Sequence, residues 1–306
     1  MQPPPRGRQS ARPPAIPQAG GVAPVAVAQA LAYCARAARG GDAERYRAAL
    51  LATPPQRGYL MAILAFNGEL ARTRETVSEP MLGEIRLQWW REGIAGVYCG
   101  APREHPVLLG LAAAVAGRPL ARAHFDAIIE ARAGDLYDEQ IHDLGELVRY
   151  AEATAARPAY LMLEALSVSA LAAHAAARHV GVAWALLGLL RAVPFHARAR
   201  RLYLPTGLLA AAHVAPEAVY RGEPPAGLRQ VTAEIVAEAA RRLHEARALA
   251  RQIPRAALPV LALAGLADGH LARLRAVGFD PFALPAERPG VGQALRLAWA
   301  TLSGRF

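Results

Sequence analysis

An all-α fold is what the sequence predicts, and three observations carry the prediction. The chain is rich in Ala and Leu, with 54% hydrophobic and 20% charged residues, a globular composition built from good helix formers. It contains no stretch of period-2 alternation and no internal repeat of the roughly 20–50 residues that mark repeat proteins. Pro, Gly and Asp recur at about one-helix spacing, where they start and stop helices. Together these give about ten helices in one domain over residues 25–306, after a Pro/Arg-rich leader at 1–24 that reads as disordered.

Val25–Arg39 reads as a helix stopped by Gly40-Gly41, with Asp42 as the N-cap of a helix through Leu51. Pro54-Pro55 opens a helix over Gln56–Arg74, which places Leu60, Ile63, Leu64 and Ala71 near one face. Ser78-Glu79-Pro80 starts a helix over Met81–Tyr98 that Gly100 closes. His105–Ala116 and Ala121–Ile141 follow, separated by Gly117–Pro119. Asp143 caps a helix that carries Tyr150 and is expected to kink at Pro158. Leu171–Val193 is the most apolar helix. A short helical piece after Pro205, a turn at Gly222–Pro225 and helices at Leu228–Gln252, Leu258–Val277 and Val291–Leu302 complete the domain.

The net charge is +10 and every basic residue is arginine. Such a surface attracts anionic lipid, diphosphate or nucleic acid. The arginines are spread along helices and not interleaved with aromatics, which argues against nucleic acid as a partner. Cys34 and Cys99 form neither a disulfide framework nor a metal-ligand spacing. A cytoplasmic location is expected, or the mitochondrial matrix in a eukaryote, with peripheral contact to the inner membrane. The longest apolar runs, around Val107–Ala116 and Leu258–Ala267, are shorter than the ~20 residues of a membrane span and read as core. The leader lacks the apolar stretch of at least ~7 residues that a secretory signal needs. Phosphate-binding, dinucleotide, zinc-protease and serine-hydrolase motifs are absent.

Ala62–Asn67 (AILAFN), Leu87–Trp90 (LQWW), Arg191 and Tyr203-Leu204-Pro205 stand in an order and spacing that resembles the squalene/phytoene synthase family, over about residues 42–275. The resemblance implies the single-domain isoprenoid synthase helical bundle. It also implies two Asp-rich segments that hold Mg²⁺ against the leaving diphosphate of a prenyl substrate. On the family's first motif Ala65 and Phe66 match, and the three acidic positions are Ala71, Arg72 and Glu75. On the second, Gly188 takes the asparagine position and Ala192 and His196 take the two aspartates, while Arg191, Tyr203, Leu204 and Pro205 match. Asp135 falls where the family has an acid. These degenerate positions predict no catalytic residue and no metal, with Mg²⁺ entering only if the chain is an enzyme.

Ala65–Ala71, Val77-Ser78-Glu79, Arg86–Trp90 and Arg191–His196 (RAVPFH) are similar to a noncatalytic branch, the mitochondrial complex I assembly factor related to phytoene synthase. That similarity implies complex I subunits or assembly intermediates as partners. Two other readings stand beside it: a prenyl transferase condensing two prenyl diphosphates, and a protein that binds an isoprenoid or another lipid without turnover. Candidate ligand-binding residues are Arg72, Glu75, Asp135, Arg191 and Tyr203. Arg191 either grips an anionic group or pairs with a buried carboxylate such as Glu75 or Asp135. His196 reads as a dipole partner or cap at a helix end, and Arg198–Arg201 as a cluster for a membrane surface or an acidic partner, or as a solvated loop. Trp89, Trp90 and Trp184 read as core or as the wall of a lipid cavity. Glu130, Arg132, Asp135 and Asp138 read as helix-surface charges.

Overall fold

Helix boundaries fall close to where the sequence places its caps. The protein is described by a computed structural model over residues 23–137, 139–223, 225–285, 291–304 and 306; most of the leader and Asp138 lie outside these. Helix α1 spans Pro24–Gly41, and the Asp42 side chain then accepts from the Arg45 amide at 2.9 Å to start α2, Ala43–Ala49. Next come α3 (Gln56–Ala71), α4 (Pro80–Tyr98), α5 (Pro106–Gly117) and α6 (Arg122–Ala133). Asp143 caps α7 (Leu144–Ala151) by accepting from the Glu146 amide at 2.7 Å. They are followed by α8 (Arg157–Ala165), α9 (Leu171–Arg191), α10 (Gly227–Ala248), α11 (Leu263–Ala276) and α12 (Val291–Ser303). One- and two-turn helices fill the connections, and no strand occurs among the described residues.

Three elements depart from the sequence reading. The helix expected through Arg74 stops at Ala71, and a separate turn covers Thr73–Thr76. The helix expected over Ala121–Ile141 ends at Ala133 and tightens into a 3-10 turn at Gly134–Tyr137. Leu136 of that turn occupies the space a Cβ at Gly83 of α4 would need, so the bare glycine lets the turn seat inward. The kink expected at Pro158 is a π-helical turn over Glu152–Ala156, between α7 and α8. Proline at 158 cannot donate to the carbonyl of Thr154, and a widened turn absorbs that defect.

Helix α9 is the axis of the bundle. It packs against α10, the π-turn, α8 and α11, while α1, α3 and α5 form a second layer and α4 lies on α5 and α6. The sequence reading put the membrane-length limit above every apolar run, yet Leu171–Arg191 and Arg255–Ala276 both have the length and hydropathy of a span. They are core helices: 61% and 67% of their apolar windows are buried inside the bundle. Gly181 is where α9 meets the π-turn. A Cβ there would lie 3.1 Å from the Ala155 oxygen and from the Ala156 Cα, which are backbone atoms with nowhere to move.

Gly181→Val is therefore expected to destabilise the protein by about 1–3 kcal/mol through overpacking. Urea unfolding checks this as a lower midpoint with an unchanged slope.

Candidate functional site

Two buried polar centres interrupt the apolar interior. The first is built on Asp135, which the inward 3-10 turn carries into the bundle, leaving it 8% exposed. Tyr150 of α7 donates to its carboxylate (3.0 Å to Oδ1), Tyr203 donates to Oδ1 at 3.1 Å, and Arg132 of α6 reaches Oδ2 at 3.0 Å. Arg201 completes the cluster by donating to the Tyr203 hydroxyl at 2.7 Å and to the Asp135 carbonyl at 3.0 Å. Burial, reinforced by the Asp135 charge, raises the Tyr203 phenol above its ordinary value, and Tyr150 is raised likewise. Burial disfavours the charge on Arg132, but Tyr150 and Asp135 outweigh it and hold the guanidinium ionised. Asp135, Tyr150, Tyr203, Arg201 and Tyr220 line a cavity of about 670 Å³, and the exposed Arg200 lies 5.0 Å over the Tyr220 ring.

The second centre joins parts of the chain that are remote in sequence. Glu44 of α2 lies 3.0 Å from His270 Nε2 of α11 and 3.5 Å from Arg191 at the end of α9. Arg191 is in turn 2.8 Å from His270 Nε2. Gln293 of α12 donates to Glu44 at 2.7 Å and accepts from Arg47 at 2.6 Å. Burial opposes ionisation of Glu44, but His270, Arg191 and Arg47 outweigh it and hold the carboxyl below its usual range. Trp184 stacks edge-on against His270 at 5.5 Å.

A family model for squalene/phytoene synthase matches residues 38–298. The chain belongs to the squalene/phytoene synthase family. It is 32% identical over 250 residues to complex I assembly factor 6 of Homo sapiens, covering 82% of this chain and 75% of that protein. The Dictyostelium discoideum homolog of that factor is 29% identical over 248 residues, covering 80% of this chain and 69% of the homolog. A phytoene synthase of Rhodobacter capsulatus is 29% identical over 170 residues, 55% of this chain and 50% of that enzyme. Among solved structures, a squalene synthase of Alicyclobacillus acidocaldarius superposes with a TM-score of 0.74 at 19% identity, covering 86% of this chain and 100% of that one. A dehydrosqualene synthase in complex with ligand gives 0.77 at 15% identity, covering 90% of this chain and 97% of that one. At those identities the structural likeness speaks for the fold.

Within the squalene/phytoene synthase family frame, the predicted site residues separate into three places. Asp135 and Tyr203 come together, and His196 joins them with its ring 4.8 Å from that of Tyr203. Arg191 goes to the second centre: its carboxylate partner is Glu44, and neither Glu75 nor Asp135 fills that role. On the first-motif stretch, exposed Arg72 pairs with Glu69 at 2.7 Å and Glu75 is exposed on the separate turn. Ala71 ends α3, Ala192 caps the short helix Val193–Arg198, and a Cβ at Gly188 would meet open space. Among the described residues no three His, Cys, Asp or Glu side chains converge as a metal set.

Several surface assignments are corrected. Asp135 and Arg132 are an interior pair, because the helix that would have kept them outside ends at Ala133; Glu130 is the surface charge, pairing with Arg91 at 3.0 Å. His196 is not a charged dipole partner: burial pushes its imidazole down to about 4, with the Arg201 charge adding to the effect, and its Nδ1 has no hydrogen-bond partner. Arg201 belongs to the site, while Arg198 and Arg200 are exposed. Trp90 and Trp184 are 2% and 8% exposed core residues, and Trp89 packs on Trp90 at 5.0 Å under Arg103. Glu44, His270 and Gln293 were missed altogether. His270 and Gln293 stand 226 and 249 residues along the chain from Glu44 and share no local pattern with it.

Asp135→Ala would leave the Arg132 guanidinium buried without its counter-charge and is expected to cost about 3–5 kcal/mol in unfolding free energy. The His196 ring is expected to stay neutral until about pH 4, read as its NMR titration midpoint. Because that folded-state value lies below the ordinary 6.5, the stability it carries is present above pH 6.5 and is lost as pH falls toward 4. His196→Phe should flatten this limb of the stability profile.

Proposed function

We propose that this chain is a noncatalytic member of the squalene/phytoene synthase family that acts in the assembly of respiratory complex I. The observation that carries the reading is the 32% identity to complex I assembly factor 6 over 82% of the chain. The site supports it. At the positions where the family motifs place acids the chain has Ala71, Arg72, Ala192 and His196, and the acid that remains on that stretch, Glu75, is exposed. These residues do not fit a Mg²⁺–diphosphate site. Both oxygens of Asp135 already accept hydrogen bonds, and a neutral imidazole is a poor ligand for a hard cation. Arg191, the matched cation, is neutralised internally by Glu44.

Complex I subunits or assembly intermediates are the partners this reading implies. The place of action it implies is the cytoplasm or mitochondrial matrix, at the surface of the inner membrane. A second reading, an isoprenoid- or lipid-binding protein without turnover, has one observation in its favour: a cavity of about 670 Å³ beside Asp135 is ligand-sized. The enclosed apolar space beside Gly181, by contrast, holds only about 10 Å³.

Deleting the gene in its own organism is expected to lower the amount of fully assembled complex I on native gels, with recovery on re-expression. Unchanged complex I overturns the assembly reading. The purified protein, given farnesyl or geranylgeranyl diphosphate and Mg²⁺, is expected to release no pyrophosphate above background, and steady turnover would overturn the noncatalytic reading.

A further inference from the structure

Helix α12 leaves an apolar stripe facing outward. Leu295, Trp299 and Leu302 recur at helical spacing and are 63%, 67% and 81% exposed. Its opposite side is tied down: Leu297 and Ala300 are buried against the bundle, and Gln293 is bonded to Glu44. The stripe is therefore a fixed surface feature, and a groove of about 400 Å³ runs beside it between Trp299, Leu295 and Phe306.

Among the described residues the charge around this stripe is predominantly positive. Arg296 is exposed on the same helix, Arg255 packs over Gly304 just past its end, and Arg247 lines the groove. The stretch 291–306 contains no acid, and the nearby Asp268 is already bonded to Arg247 at 2.6 Å. A second outward apolar stripe, Met81, Leu82 and Ile85 on α4, differs in this respect because Glu79 and Glu84 flank it. Three side chains also amount to only a few hundred Å², short of the roughly 800 Å² that each partner contributes to a stable protein complex. Apolar groups with an indole among them, flanked by arginine, suit the boundary between lipid headgroups and acyl chains.

We propose that α12 is an in-plane docking element for an anionic phospholipid surface, with Leu295, Trp299 and Leu302 entering the headgroup boundary and Arg255 and Arg296 pairing with lipid phosphates. This rests on the proposed place of action at a membrane surface but not on complex I as the partner, and it is tested without complex I.

The test uses the full chain with vesicles of phosphatidylcholine plus phosphatidylglycerol, and with phosphatidylcholine alone. Co-sedimentation is expected with the anionic vesicles, weakening as salt rises. Tryptophan emission is expected to shift to the blue on binding, and Trp299→Phe should abolish the shift while leaving binding near wild type. The double variant Leu295→Glu, Leu302→Glu should lose binding on the order of tenfold or more. Both positions are exposed, so circular dichroism should show an unchanged fold, and the emission shift tests the same face in the unsubstituted protein. Failure of the wild-type protein to bind anionic vesicles overturns the proposal, as does equal binding by the double variant. A dimer in light scattering that the double variant dissolves also overturns it, by giving the face to a second copy.

Discussion

The guanidinium group is the constraint around which the interior is arranged. Every basic residue of this chain is arginine, and Arg45, Arg132 and Arg191 all enter the bundle. A guanidinium does not escape burial by losing its proton, so each must meet an acceptor there. Arg132 meets Asp135 and Tyr150; Arg191 meets Glu44 and His270; Arg45, with its side chain 10% exposed, lies 3.6 Å from Asp42. These demands dictate features that apolar packing alone leaves open. The 3-10 turn at Gly134–Tyr137 has to bring Asp135 inward, α2 has to set Glu44 under the end of α9, and α11 and α12 have to close over the same point.

That arrangement explains why some of the molecule was legible from the sequence and some was not. Caps at Asp42 and Asp143, the start at Pro80 and the stop at Gly100 are local chemistry, readable within four residues, and the structure keeps them. The apolar character of α9 marks it as the buried axis for the same reason. Helix ends settled by tertiary contact were harder to read: within Ala121–Ile141 only Gly134 marks a local stop after Ala133, and the inward 3-10 turn that follows depends on Leu136 settling against Gly83, some fifty residues earlier. The π-turn shows the intermediate case. Pro158 announced a defect, but its form depended on Gly181, which lets α9 approach the widened backbone.

The site divides along the same line. Motif spacing singled out Asp135, Tyr203, Arg191 and His196, but Asp135 read as a surface charge and His196 as a helix-end dipole partner, and the fold gathers Asp135, Tyr203 and His196 in one place and Arg191 in another. Spacing carried no information about which acid faces which cation. Two carboxylates in positions set by the family motif were plausible partners for Arg191, whereas the actual one lies near the start of the domain. Glu44 and His270 have no signature because an ion pair needs only opposite charge and proximity, and proximity across 226 residues is a product of the whole fold.

The partners of Arg191 also bear on how a squalene/phytoene synthase bundle stays stable with no ligand at that arginine. An arginine that faces a diphosphate is neutralised by its ligand, and without that ligand it is an uncompensated charge costing several kcal/mol. Here Arg191 has the Glu44 carboxylate at 3.5 Å, so the protein itself supplies its counter-charge, with His270 2.8 Å away. An incoming anion would have to displace a carboxylate held ionised by Arg191, His270 and Arg47 together, and would strand that carboxylate in the interior. The network thus stabilises the bundle and opposes anion binding by the same contacts. A bundle in that condition balances the charge of Arg191 without a bound anion, so this part of the isoprenoid synthase fold needs no ligand to be stable.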